Sequence, residues 1–318
     1  MKKTFYSLVC LLIIGNISAQ TTGIEETIKL QNIDSLDVWK TGGIISLNLT
    51  QVSLTNWSAG GENSISANGI LSLFANFKKD NSTWDNSLDL SYGLLKQGDE
   101  GVRKTDDKID FTSKYGQKAH KNWYYSSLVN FKSQMTVGYN YPNDTSKISN
   151  FLAPGYLLGA IGMDYKPSEI LTLFISPVTT KITLVNDQAL ADTGAYGVEA
   201  AVIDTDGNII TKGENSRAEY GGYIRALLKK DIMKNVNLQT KIEFFSNYSE
   251  EPSNIDVNWE ILISMKVNKF ISATISSQLI YDDDIDIFID KNNDGIIDGV
   301  GPRTQIKEVL GIGLSYKF

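Results

Sequence analysis

The chain has 318 residues, of which 42% are hydrophobic and 21% charged, with 6 prolines, one cysteine and one histidine. This composition excludes a disordered chain, a disulfide framework and a zinc site built from cysteine and histidine. The formal net charge of −7 at pH 7 disfavours a nucleic-acid partner.

The N-terminus has the pattern of an export signal. Two lysines precede an apolar stretch from Phe5 to Ile14, and small residues lead to Ala19. We therefore expect residues 1–19 to be a cleaved signal peptide and residues 20–38 to form a short periplasmic segment. The apolar stretch is shorter than the roughly 20 residues that a membrane helix needs. A mature chain that enters a membrane must then do so as a closed β-barrel.

From Ile45 onward, apolar and polar residues alternate with a period of two. In Ile255–Val267 every odd position is apolar, and all even positions except Leu262 are polar. Such alternation places the two sets of side chains on opposite faces of a β-strand. The pattern predicts twelve strands, close to residues 44–53, 63–78, 83–95, 107–116, 123–136, 156–165, 170–185, 217–229, 236–248, 255–267, 271–281 and 303–318. Pro177 interrupts the seventh strand and predicts a bulge or kink there.

The predicted connections alternate between long and short, as they do in outer-membrane barrels. We therefore predict an all-β chain in which residues 39–318 form a single transmembrane antiparallel up-and-down β-barrel of about 12 strands. Both termini are expected in the periplasm, and the protein in the outer membrane of a Gram-negative cell with membrane lipids around it. A soluble β-sandwich or lipocalin-like barrel would also show alternation, but its apolar side chains would point inward.

If the apolar face meets lipid, the polar side chains must line the lumen, because charges facing lipid are costly. Two interpretations stay open at this point: a water-filled pore, and cross-strand ion pairs that fill a narrow lumen. Glu308 falls on the lipid-facing phase, which indicates either a position above the bilayer rim or a register bulge. The predicted lumen-lining residues are Asp85, Asp89, Asp110, Lys132, Arg217, Glu219, Arg225, Lys241, Glu243, Asp256, Glu260 and Lys266.

One local motif resembles the start of a calcium-binding loop. Oxygen ligands at alternate positions and a glycine at the sixth position are typical of such loops. The twelfth position is Gly301 instead of the usual glutamate, so a simple turn rich in Asp and Asn is the alternative. The candidate ligands of a structural Ca²⁺ are Asp290, Asn292, Asp294, Ile296 and Asp298.

Catalysis is not expected. His120 is the only histidine, and the pattern places it in a short turn at the periplasmic end. We expect a pore or transporter for small solutes. The alternative from another class is a non-conducting barrel that serves as a subunit or scaffold of a larger outer-membrane complex, with protein partners. No cofactor is required by either function.

Four segments carry a resemblance to a known family. They are Gln51–Ser64, Arg103–Gly116, Ser149–Pro167 and, taken together as the fourth, Tyr281–Asp286 with Gly301–Phe318. These segments are similar to an uncharacterised Bacteroidota family of outer-membrane β-barrel domains of unknown function. The calcium-like stretch Asp290–Asp298 departs from the shorter loop of that family. The resemblance implies the architecture and the location, and it supplies no activity or catalytic residues.

Overall fold

The fold is known from a computed structural model, which describes residues 38–318 apart from residues 56, 57, 60, 142, 169, 269 and 290–297. The predicted signal peptide, the cleavage point and nearly all of the predicted periplasmic segment lie outside the described residues. The described residues contain no helix that is long and apolar enough to cross a membrane.

Twelve antiparallel strands close into a barrel in which each strand pairs with its neighbours in sequence and the last pairs with the first. This confirms the predicted up-and-down barrel and its strand number. The strands are β1 Trp39–Val52, β2 Ser64–Lys79, β3 Ser82–Gln97, β4 Arg103–His120, β5 Trp123–Ser133, β6 Gly155–Tyr165, β7 Leu171–Leu184, β8 Ser216–Met233, β9 Val236–Asn247, β10 Ile255–Lys266, β11 Ile271–Tyr281 and β12 Gln305–Lys317.

Connection lengths distinguish the two ends of the barrel. The end that carries residues 80–81, 121–122, 166–170, 234–235 and 267–270 is called the short-turn end. The other, the long-loop end, carries the remaining connections, of which residues 134–154, 185–215 and 282–304 are the largest, although residues 98–102 are no longer than residues 166–170. Because the strand number is even, the start of β1 and the C-terminal Phe318 both lie at the short-turn end, where their backbones pair.

Several large connections have structure of their own. Small hairpins pair Gly138–Tyr139 with Lys147–Ser149, Val202–Ile203 with Ile209–Thr211, and Asp286–Ile289 with Gly299–Pro302. A short helix, α1, covers Gln188–Asp192 and is followed by a 3-10 turn.

The predicted boundary of β4 was too narrow. The alternation suggested residues 107–116, whereas the strand runs from Arg103 to His120 and pairs with β3 and β5 along its length. The first residues of the strand, 103–107, are all polar. They therefore show no alternation between apolar and polar residues. As a result, the predicted long connection between β3 and β4 shrinks to residues 98–102. His120 ends β4 and is exposed, next to the predicted turn.

The predicted irregularity at Pro177 is confirmed as a β-bulge. The register with β6 passes from Ile175 directly to Val178, and the register with β8 also shifts here. The buried Ser176 hydroxyl donates within 2.8 Å of the carbonyl oxygens of Ile161 and Val178. A side-chain hydroxyl therefore bonds to backbone carbonyls at the point where the strand register shifts.

Candidate functional site: the lumen of the barrel

The barrel is apolar outside and charged inside. Outward side chains such as Ile161 and Val178 are 67% and 65% exposed, while Asp110 and Glu243 are 2% and 5% exposed. This arrangement is the reverse of that in a water-soluble domain, where exposed Ile and Val carry an unfavourable transfer free energy. The soluble interpretation considered from the sequence requires the opposite facing and is therefore disfavoured.

Ion pairs at mid-height connect strands on opposite sides of the ring. Lys241 on β9 lies 3.2 Å from the Asp110 carboxylate on β4 and 3.1 Å from Glu260 on β10. Lys108 on β4 lies 3.1 Å from the second oxygen of Glu260. Because β4 and β9 are five strands apart in the ring of twelve, these contacts run through the interior. We call this set, together with the Glu243 contacts below, the middle layer.

Glu243 is the second centre of the middle layer. Its carboxylate accepts hydrogen bonds from Lys132 at 2.7 Å, Tyr223 at 2.6 Å and Asn258 at 2.8 Å. Arg225 Nε lies 3.7 Å away. A buried carboxylate with several charge-assisted donors is held in one position, and leaving any of these charges alone would be costly.

Asn130 fixes the other carboxylate of the layer. Its amide nitrogen donates to Asp110 at 2.7 Å and to the hydroxyl of Thr112 at 2.9 Å. These contacts orient Asp110 toward Lys241 rather than toward the wall.

Apolar side chains narrow the lumen beside the middle layer. Leu128, Ala160, Phe174, Tyr223 and Phe245 form a buried cluster on β5 to β9. Their inward position is not predicted by residue type alone. The alternation phase does indicate it, since Phe245 and Tyr223 share the phase of Glu243 and Arg225.

A second group of charges lies toward the short-turn end. Lys114 lies 2.6 Å from the buried Asp164, and Lys166 contacts both Asp85 at 2.7 Å and Asp164 at 3.4 Å. These contacts form the lower layer. Asp89, on β3, lies opposite Asp110 of the middle layer in the strand register and accepts a hydrogen bond from the Ser72 hydroxyl.

A third group lies toward the long-loop end and forms the upper layer. Lys181 contacts Asp256 at 2.7 Å and both Glu219 and Asp282 at 3.4 Å. Beside it, Arg217 contacts Glu250 at 2.5 Å and Asp284 at 2.9 Å. A cavity of about 770 Å³ opens next to these side chains and is lined by eight carboxylates and Arg217.

A separate cavity of about 570 Å³ lies above the middle layer, and we call it the vestibule. Its floor includes charged residues of the middle layer, and its roof comes from residues 134–154 and 185–215. Aromatic and aliphatic side chains from these connections and from the wall dominate the remaining surface: Tyr139, Tyr141, Ile148, Tyr156, Leu158, Tyr196, Phe245 and Ile280.

The two connections that roof the vestibule are packed against each other. Ala153 joins Val185, Leu190, Ala191 and Val198 in a buried cluster. We call this assembly the loop cap.

Polar contacts add to the loop cap. Lys147 lies 2.6 Å from Asp187, and its hydrogen bond holds the pKa of that carboxyl below the usual value. Tyr196 donates to the carbonyl of Ile148, and burial raises the pKa of this phenol to about 12. The cap is therefore ordered by both an apolar core and a charge pair.

Eleven of the twelve residues predicted to line the lumen have the contacts given above. Lys266 ends β10 at the short-turn end. Whether these residues line a path for solute is a separate question that stays a prediction.

Two further sequence expectations concern β12 and its preceding connection. Glu308 pairs in unbroken register with Ser277, so a register bulge at this position was the wrong interpretation. Of the predicted calcium ligands, only Asp298 belongs to the described residues; the other four lie outside them. Among described side chains, no group of three or more His, Cys, Asp and Glu has a geometry suited to a metal ion.

Part of the chain matches a family model of unknown function, and the fold of the chain is similar to that of solved barrel structures. Residues 49–139 match a family model described as "Protein of unknown function (DUF3078)". This range includes two of the four segments that carry the resemblance noted above. No curated protein matches the chain significantly.

Solved structures with a similar chain course include three membrane barrels. The COG4313 outer membrane channel from Pseudomonas putida F1 has 11% identity and a TM-score of 0.38, covering 90% of this chain and 98% of that chain. The NanC porin has 8% identity and a TM-score of 0.35, with 86% and 98% covered. The translocator domain of autotransporter NalP from Neisseria meningitidis has 10% identity and a TM-score of 0.31, with 92% and 93% covered.

Proposed function

We propose that this protein spans the outer membrane as a barrel that is closed at rest and that passes small solutes from the vestibule past the middle layer. The observation that carries the proposal is the reversed facing of the wall, with Ile161 and Val178 outside and Asp110 and Lys241 inside. Only a lipid exterior makes both halves of this arrangement favourable. The vestibule supplies a place for a solute above the constriction.

The middle layer favours a restricted path over an open pore. A lysine that bridges β9 to β4 and β10 occupies the centre of the lumen, and Phe174 and Phe245 occupy one side. Passage therefore requires the Lys241 contacts to open. The same observation supports the second candidate, a non-conducting barrel that serves as a scaffold, because a lumen that never opens needs no path.

Planar-bilayer conductance separates these two functions. We expect rare, small openings from the unmodified protein and larger, more frequent ones from the double variant Asp110→Asn with Lys241→Gln. This variant removes both charges and puts polar amide groups in their place, although the side chain of Gln is one bond shorter than that of Lys. Lys118→Gln, at an exposed position on β4, is the matched control and should behave as the unmodified chain. A double variant that stays folded and yet shows no openings would favour the scaffold.

We infer from the loop asymmetry that the long-loop end lies outside the cell and the short-turn end in the periplasm. An epitope inserted at Gly207 tests this, because the glycine lies at an exposed hairpin tip with open space around it. Antibody should label the tag on intact cells. Labelling only after the outer membrane is permeabilised would reverse the orientation. Sequencing of the mature N-terminus tests cleavage after Ala19.

Calcium binding by residues 290–298 is a separate proposal, motivated by the spacing of the oxygen ligands in the sequence. Titration calorimetry with calcium chloride should give heat that is lost in Asp290→Asn with Asp294→Asn. An absence of heat from the unmodified protein would leave the turn interpretation.

A further inference from the structure

The two strands that close the barrel, β1 and β12, are paired along only part of their length. The register between β1 and β12 covers Ile44–Asn48 and Gly313–Lys317, and hydrogen bonds between Gly43 and Phe318 extend it at the short-turn end. On its other side, β1 pairs with β2 over its full length, from Trp39 to Val52. The pairing of β1 with β12 therefore stops partway up the wall.

Above Asn48 each strand has one free edge. Leu49–Val52 pairs with β2 only, and Gln305–Ile312 pairs with β11 only. Within the described part of the chain, no register pair joins these two stretches. Unpaired N–H and C=O groups are costly in hydrocarbon and are tolerated where the backbone lines a cavity or is covered. We call this upper part the half-seam.

The free part of β12 carries exposed side chains on its outward phase. Leu310 is 72% exposed, whereas Ile275, its register partner on β11, is 40% exposed. Glu308 places an exposed carboxylate on the outward phase of the same free edge. A polar group here is cheaper if the half-seam is not sealed by acyl chains alone.

The boundary between the paired part of β1 and β12 and the half-seam lies at Asn48. Its buried side chain lies over the glycines of β12, where a Cβ on Gly311 would lie 2.7 Å from Asn48 Nδ2. A Cβ on Gly313 would lie 2.2 Å from the carbonyl oxygen of Leu47. The paired part therefore depends on a close approach of the β1 and β12 backbones, which residues larger than glycine would prevent.

The half-seam adjoins the vestibule. Gln305 and Lys307, on the free part of β12, are lining residues of that cavity. Across the cavity, Tyr156, Leu158 and Phe245 offer an apolar surface. Lys307 pairs with Asp106 at 2.8 Å, so charged and apolar surfaces share one space.

We propose that the half-seam is a lateral portal through which amphipathic small molecules, each with an apolar body and a polar head, pass between the vestibule and the outer leaflet. The apolar body contacts Tyr156, Leu158 and Phe245, and the polar head lies near the Lys307–Asp106 pair. The inference rests on the proposed function in one respect, that the wall is embedded in lipid. It adds the substrate class and a path that avoids the middle layer.

Cysteine pairs placed above and below Asn48 test the portal. Continuing the register beyond Asn48 and Gly313 brings Gln51 opposite Leu310, so Gln51→Cys with Leu310→Cys closes the half-seam when oxidised. Ile45→Cys with Tyr316→Cys crosslinks positions that are already paired and is the matched control. Both variants carry Cys10→Ser, and a bismaleimide replaces the disulfide where the edges stay apart.

The probe is a diazirine-tagged lysophosphatidylcholine in vesicles that contain the protein, with labelled peptides mapped by mass spectrometry. In the reduced protein we expect labelling of the outward Ile161 and Val178 and of Tyr156 and Leu158 in the vestibule. Closing the half-seam should abolish the vestibule labelling and leave the outward labelling, whereas the control crosslink should change neither.

The outcomes separate the two proposals. Outward labelling without vestibule labelling in the reduced protein would overturn the portal and leave the membrane barrel. Vestibule labelling that survives closure of the half-seam would also overturn the portal, because the probe then enters through the loop cap. Absence of outward labelling would overturn the proposed function itself.

Discussion

The two sides of the barrel are built differently although every strand follows the same up-and-down order. On the side formed by β5 to β9, Leu128, Phe174 and Phe245 fill the interior and the strands pair over long registers. On the side where β12 meets β1, Gly311 and Gly313 take the place of large inward side chains and the pairing is short. The first side is a packed core. The second, which we call the join, is the short pairing between β12 and β1. Ring closure alone therefore does not make all parts of the wall equally stable.

The largest expected effect on the free energy of unfolding comes from removing a charge at the centre of the packed side. Lys241→Met removes the cation shared by Asp110 and Glu260 and leaves buried carboxylates less compensated, so we expect a loss of about 3–5 kcal/mol in the free energy of unfolding. Urea unfolding in detergent micelles measures it. Lys118→Met, at an exposed position on the same barrel, should change the free energy by less than about 0.5 kcal/mol. Equal effects of the two variants would show that the middle layer contributes little.

A smaller effect is expected at the join. Gly313→Val forces a side chain against the carbonyl oxygen of Leu47, so we expect a loss of about 1–3 kcal/mol as the strands shift apart. Gly159→Val is the matched control, because a Cβ there meets nothing within 4 Å. The temperature at which the band shifts on a semi-native gel measures both. If the band-shift temperature of Gly159→Val falls as far as that of Gly313→Val, the effect comes from valine itself and not from the join.

The smallest effect belongs to the loop cap and depends on pH. Because the pKa of Asp187 is lowered in the folded protein by the hydrogen bond from Lys147, its contribution is present above the unfolded pKa of about 3.9 and is lost as the pH falls through the folded pKa. The pair is partly exposed, so its contribution is about 1 kcal/mol at most. The hydrogen-exchange protection factors around Ile148 and Leu190, which are corrected for the intrinsic pH dependence of amide exchange, should therefore fall in acid.

Asp187→Asn should show the lower protection factors already at neutral pH, with no further acid-dependent fall in protection from this pair. Asp206→Asn, in the exposed hairpin of the same connection, is the control and should keep the acid-dependent fall. Exchange in Asp187→Asn that still follows the unmodified protein through the acid range would assign the effect to another group.

Strand number, strand order and the Pro177 bulge could be predicted from the sequence because each depends on neighbouring residues. Alternation with a period of two is a local property, and a proline in a strand removes a donor wherever it occurs. The contact between Asp110 and Lys241 could not be predicted this way, because it joins strands far apart in sequence and depends on the cross-section of the closed barrel. The half-seam was equally hidden, since β1 and β12 both alternate to their ends.

The bulge at Ser176 and Pro177 also decides which residues of β7 meet lipid. Before it the even-numbered Phe174 points inward, and after it the odd-numbered Thr179, Lys181 and Thr183 do, while Val178 points out. The extra residue thus exchanges the two faces of the strand halfway along. Without it, the ammonium group of Lys181 would project into the acyl chains, and the three carboxylates that contact it would be left without their shared cation.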